Sequence, residues 1–168
     1  MGAGILPIAI HRGVLLILLG QERHNNLWCD FGGGSNKRES PFNTAIREGS
    51  EELNGFMGSD NELKETVNNN LLTSITYDKY TSYVFKVNYN KDLPYYFENN
   101  NKFAEKHMQN LIRIPDNGLF EKTQIKWFRA KDLKNEFISK NIRLHYQEII
   151  NHIIKNEKKI ILTANRKL

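Results

Sequence analysis

Residues 31–53, FGGGSNKRESPFNTAIREGSEEL, decide how this chain folds. Three glycines, Gly32, Gly33 and Gly34, lead to Ser40-Pro41, which reads as a helix N-cap followed by proline at the first helical position, where its missing N–H costs nothing. The helix is expected over about 41–53. Asn54-Gly55 then supplies residues that tolerate left-handed backbone at its end. At about 100° per residue, Phe42, Ala45, Ile46, Gly49 and Leu53 form an apolar stripe suited to packing on a sheet. Glu48, Glu51 and Glu52 occupy the adjoining arc, with Glu48 and Glu52 one turn apart, and Arg47 is the only cation of that helix.

A solvated face is the ordinary explanation of such a charge run, but the magnitudes favour another. Arg47 supports Glu51 at i, i+4 by about 0.3–0.5 kcal/mol, whereas two carboxylates about 5 Å apart repel by roughly 3 kcal/mol at an effective dielectric near 20. A hard divalent cation relieves that repulsion. Oxygen ligands suit Mg²⁺ or Mn²⁺, and no Cys/His cluster suggests zinc. The glycines allow close backbone approach to a ligand or ion and offer a carbonyl as a further oxygen donor. No Gly-Lys-Ser/Thr follows them, and the third glycine of a dinucleotide fingerprint is missing. Glycines ahead of a glutamate-rich helix suggest metal ions clamping a diphosphate, with carboxylates left for proton transfer.

Residues 33–56 resemble the Nudix box, Gly-x5-Glu-x7-Arg-Glu-U-x-Glu-Glu-x-Gly-U, in which U is bulky and apolar. Gly33, Glu39, Arg47, Glu48, Glu51 and Glu52 all fall at its spacing. Three positions depart: Gly49 replaces the first U, Asn54 the glycine and Gly55 the last U. Asn is the next-best left-handed cap, and Gly49 on the buried stripe costs about 1 kcal/mol of helix propensity unless close packing needs it. The resemblance implies an α/β/α sandwich with a mixed β-sheet and a pyrophosphohydrolase of nucleoside-diphosphate derivatives that uses Mg²⁺ or Mn²⁺. By the same resemblance Glu48, Glu51, Glu52 and the Gly33 carbonyl hold metal, Arg47 orients a glutamate, and Glu39 braces the loop or metal-bound waters. The general base falls either to Glu121, in the loop before the late Trp-containing strand, or to Glu51 or Glu52.

The remaining chain fits one domain. Its 168 residues suffice for a core, and 39% hydrophobic and 11% aromatic residues are globular values. One cysteine, Cys29, excludes a disulfide framework and suits a reducing, cytoplasmic setting, with a nucleophilic role disfavoured. The apolar start, GILPIAIH and VLLILLGQ, is interrupted at His11-Arg12-Gly13 and is too short to span a membrane; it reads as two buried strands. Leu6 stands where a myristoylation signal requires Ser or Thr. A strand over 27–31, a hairpin of 72–77 with 80–89, a strand over 123–129, a short helix over 131–136 and a helix over 143–156 with Leu144, Ile149, Ile150 and Ile153 inward are expected. Residues 59–70 read as helix or loop. The patch Phe103, Met108, Leu111 and Ile112 suggests one helix before Pro115.

Net charge is +5, and residues 120–168 carry a surplus of +7, suited to a polyanionic substrate or simply to an Asn/Lys/Ile-rich composition. Arg23 is a candidate phosphate contact alongside Gly32, Gly33 and Gly34. Trp28 and Tyr95-Tyr96-Phe97 are read as base-stacking or as packing residues. The expected partner is a small-molecule diphosphate, with RNA as a second candidate. Cap removal, diphosphoinositol-polyphosphate hydrolysis and a non-catalytic nucleotide-binding module remain the alternatives.

Overall fold

A computed structural model of the chain describes residues 1–112 and 118–166. Strands β1 (Gly2–His11) and β2 (Val14–Glu22) form the expected hairpin, with Arg12 and Gly13 both at positive φ, as a two-residue primed turn requires. The strand expected to end at residue 31 instead divides into β3 (Trp28–Cys29) and β4 (Phe31–Gly34). The glycines therefore form a ladder rather than a loop: β4 pairs antiparallel with β1, Gly32 opposite Gly4 and Gly33 opposite Ala3. Helix α1 (Pro41–Glu52) follows, capped as anticipated by the Ser40 hydroxyl, which accepts from the Asn43 N–H at 3.2 Å.

Residues 60–70 prove helical (α2, Asp60–Asn70), started by a Ser59/Glu62 capping box. The hairpin β5 (Leu71–Tyr77) and β6 (Tyr80–Lys86) turns at Asp78, and β6 runs parallel to β1. The expected single helix before Pro115 is two, α3 (Leu93–His107) and α4 (Gln109–Ile112), and Pro115 itself lies outside the described residues. Phe103 is 58% exposed, because α3 buries the face of Phe97, Asn101 and Ala104 instead. Strand β7 (Lys122–Arg129) pairs with β2 and leads through a 3-10 turn, Ala130–Lys134, to α5 (Glu136–Ser139), α6 (Leu144–Lys155) and α7 (Glu157–Arg166). Leu144 is 79% exposed at the first position of α6, where Tyr146 takes the inward place. Helix α7, beyond the expected end at 156, buries Ile160 and Ala164.

Alternate strand residues feed two cores, one on each face of the mixed sheet. Leu6, Ile8, Leu15, Ile17 and Leu19 meet Tyr146, Ile149, Ile150, Ile153 and Ile160 on one side. Ala3, Ile5, Leu18, Phe31 and Ile125 meet Ala45, Ile46, Leu53, Leu63, Val67 and Phe97 on the other. The result is an α/β/α sandwich, with edge strands β5 and β7. Among the described residues no helix is long and apolar enough to cross a membrane.

Candidate active site

The register of α1 on the sheet depends on Gly49. A Cβ there would come within 2.5 Å of Ile5 Cγ1, so the residue that departs from the expected apolar pattern is the one that lets the helix sit close to β1. Asn54 also has a role beyond its positive φ of 50°: its Oδ1 accepts the Phe120 N–H at 3.0 Å, tying the helix end to the approach to β7.

Close docking sets the acids beside the glycine strand. Arg47 lies at their centre. Its Nε and Nη2 donate to the two Glu39 oxygens, both at 3.0 Å, and its Nη1 donates to Glu48 Oε1 at 2.8 Å and to Glu51 Oε2 at 3.3 Å. Nη2 also reaches the Gly34 carbonyl at 3.0 Å. Glu39 in addition accepts from the Asn36 N–H and the Thr44 hydroxyl. The Arg47 hydrogen bonds, with help from Asn36, hold the Glu39 carboxyl down to about 2. Partial burial pushes Glu51 upward against the pull of Arg47.

Two glycines make room for these carboxylates. A Cβ on Gly33 would lie 2.5 Å from Glu48 Oε2, and one on Gly118, itself at φ +68°, would overlap Glu51 Oε2. Glu48 and Glu51 keep 15% and 32% of their side-chain surface open. An all-oxygen pair with open surface, set in a cradle that a methyl group would fill, fits a hard divalent cation.

Glu52 does not join them. It is 3% exposed and turned beneath the strand, where Oε2 accepts the Gly32 N–H at 2.7 Å and Oε1 pairs with Lys122 Nζ at 3.0 Å. Arg47 is thus not the only cation beside the box acids. Among the described residues no three His, Cys, Asp or Glu side chains gather as a metal-holding group, and Glu52 pairs with Lys122 where Glu48 and Glu51 pair with Arg47. Burial drives the Glu52 carboxyl up to about 8 although Lys122 and the Gly32 N–H draw it down.

Lys122 could not be found from strand alternation. Gln21 faces Gln124 but Glu22 faces Lys122, so one residue of β7 is bulged out and the outward series of Gln124 and Lys126 is broken before Lys122. Gly20 admits its stem, since a Cβ there would be 3.0 Å from Lys122 Cγ and Cδ. Inside, Nζ lies 3.1 Å from Cys29 Sγ and 3.8 Å from Glu22 Oε1, and Glu22 is also held by Arg143 at 2.7 Å and by Asn25 at 2.6 Å. The Cys29 thiol is pushed up to about 12 by burial, in keeping with an inert cysteine.

Arg23 Nε donates to the Phe120 carbonyl at 2.9 Å and Nη1 to Glu105 at 2.7 Å, so the side chain stitches the end of β2 to α3 and the approach to β7. Glu121 is exposed, and its backbone carbonyl accepts the Arg23 N–H at 2.8 Å. Trp28 packs edge-on to Phe128 and Phe97 is buried against Phe56, whereas Tyr95 and Tyr96 are exposed.

The sequence matches no family model and no curated protein. Solved structures match the fold over nearly the whole chain. An Ap4A hydrolase from C. elegans is 17% identical with a TM-score of 0.54, covering 91% of this chain and 95% of its own. This is the Nudix fold. A second match, a Nudix hydrolase from M. smegmatis, is 11% identical with a TM-score of 0.56, covering 95% of this chain and 86% of its own. A bifunctional NMN adenylyltransferase/ADP ribose pyrophosphatase from Francisella tularensis, solved with AMP and a manganese ion, is 17% identical with a TM-score of 0.57; it covers 92% of this chain but 41% of its own. In the Nudix fold of this chain, the helix that carries the box packs beside β1 and β4.

Proposed function

We propose that this chain is a metal-dependent pyrophosphohydrolase that cleaves a diphosphate linkage in a nucleotide or nucleoside-diphosphate derivative. The observation that carries this reading is the Arg47-centred group of Glu39, Glu48 and Glu51 beside Gly33 and Gly34, at the box spacing and on the Nudix fold. The similar structures from C. elegans and Francisella tularensis, an Ap4A hydrolase and an ADP ribose pyrophosphatase, support a nucleotide substrate.

Glu48 and Glu51, with the adjoining Gly33 backbone, are the residues that would hold Mg²⁺ or Mn²⁺. A bound divalent ion lowers the pKa of coordinated water from about 15.7 towards 7 and offsets phosphate charge. Arg47 fixes both carboxylates in one orientation, so little conformational freedom is lost when a ligand arrives. Glu39 anchors Arg47 from the far side and, held well below the usual carboxylate range, stays ionised at neutral pH. Glu51, with more of its side chain open than Glu39 or Glu48, is the better placed of the box acids to take a proton from attacking water.

A release assay over nucleoside triphosphates, nucleotide sugars, dinucleoside polyphosphates, capped RNA and diphosphoinositol phosphates tests this. Turnover of at least one nucleotide with Mg²⁺ or Mn²⁺, abolished by chelator and by Glu48→Gln, is expected. Metal binding without turnover of any of them refutes the hydrolase in favour of a binding module.

A further inference from the structure

We propose that Lys122 is the resident counter-cation of Glu52, so that Glu52 is not a metal ligand in this chain and a divalent ion is held through Glu48 and Glu51. The inference rests on the pyrophosphohydrolase reading above and specifies its metal site. The Lys122 ammonium is fully buried and sits 3.0 Å from one Glu52 oxygen while the Gly32 N–H occupies the other at 2.7 Å. Its remaining hydrogens face Cys29 Sγ at 3.1 Å and Glu22 Oε1 at 3.8 Å. An ammonium has three donors, and three acceptors surround this one.

The placement is built into the fold rather than being one rotamer among several. The bulge between Gln21 and Glu22 turns Lys122 inward, and Gly20 leaves the space its stem fills. A second ring of partners holds Glu22 in turn, through Arg143 and Asn25.

Formal charges divide accordingly. In the inner group the oxygens of Glu22 and Glu52 already face Lys122, Arg143, Asn25 and the Gly32 N–H, which leaves none open to a cation. Glu39, Glu48 and Glu51 against Arg47 form an outer group of net charge −2, which one divalent ion neutralises. Drawing Glu52 onto a metal would leave Lys122 buried beside a lost partner, a cost that Glu48 and Glu51, already facing solvent, do not carry.

Mn²⁺ titration of the full chain, read by calorimetry and by the electron-spin resonance of free Mn²⁺, tests the assignment. Glu48→Gln is expected to weaken Mn²⁺ at least tenfold, and Glu52→Gln less than threefold. Circular dichroism monitors folding. The double variant Glu52→Gln/Lys122→Met, which removes both charges of the buried pair together, keeps the test valid if Glu52→Gln alone fails to fold; it too is expected to bind within threefold of the parent. A tenfold or greater loss in a folded Glu52→Gln or double variant overturns the Lys122 assignment and leaves the metal-dependent reading standing. Wild-type protein that takes up no Mn²⁺ overturns both.

Discussion

Replacing Arg47 by Gln removes the one guanidinium that joins Glu39, Glu48 and Glu51. It forms four hydrogen bonds to these carboxylates, at 2.8 to 3.3 Å, and a fifth to the Gly34 carbonyl. Hydrogen bonds to charged groups contribute about 1.5–3 kcal/mol when buried and exposed ion pairs about 0.2–1 kcal/mol. With 26% of the Arg47 side chain open to solvent, about 0.5–1 kcal/mol for each of the three acids is the appropriate scale, or about 1.5–3 kcal/mol in all. In a domain of this size that lowers Tm by about 5–10 °C in chelator. Saturating metal acts in the opposite direction, since a ligand at 100 times its Kd stabilises the folded state by about 2.7 kcal/mol. The variant no longer holds Glu48 and Glu51 in one orientation, so Mn²⁺ is expected to raise its Tm less than that of the parent and to widen the gap. Thermal melts by circular dichroism, in EDTA and in Mn²⁺, measure both. A drop under 1 °C in EDTA, or a gap that Mn²⁺ leaves unchanged or narrows, refutes the account of Arg47 as the organiser of a cation site.

Gly33→Ala places a methyl group 2.5 Å from Glu48 Oε2 and should weaken Mn²⁺ about tenfold, or 1.4 kcal/mol, while the melting temperature moves little; calorimetry reads the first and a melt the second. Gly49→Ala trades a helix-propensity gain of about 1 kcal/mol for a clash with Ile5 of about 1–3 kcal/mol, so urea denaturation should show a net loss despite the better helix former. Asp30 is buried and accepts from the Tyr80 and Ser82 hydroxyls, and burial pushes its carboxyl from 3.8 up to about 6. The folded state therefore holds that proton more tightly than the unfolded chain. The resulting stabilisation is complete below about pH 3.8 and lost as pH rises through about 6, some 3 kcal/mol for a shift of this size. Asp30→Asn lacks it, so the stability of the parent relative to the variant should fall across that interval, and a flat difference would contradict the burial of an ionisable carboxyl there.

Local chemistry sufficed for much of this protein. The Arg12-Gly13 turn, the Ser40-Pro41 start of α1, the stripe of Ala45, Ile46, Gly49 and Leu53 and the left-handed Asn54 each depend on a few neighbouring residues, and each was legible without a fold. The Nudix resemblance followed from the same short stretch because its spacing is also local. Tertiary structure alone decided what the acids do. Glu51 and Glu52 are adjacent in sequence, yet one faces solvent beside Arg47 and the other is sealed against a lysine 70 positions later. That partner is chosen by a bulge in the pairing of β2 with β7, a register between two strands a hundred residues apart, and a one-residue slip reverses which side of a sheet a side chain meets. No pattern within either strand encodes it, because the bulge exists only where the two are laid together.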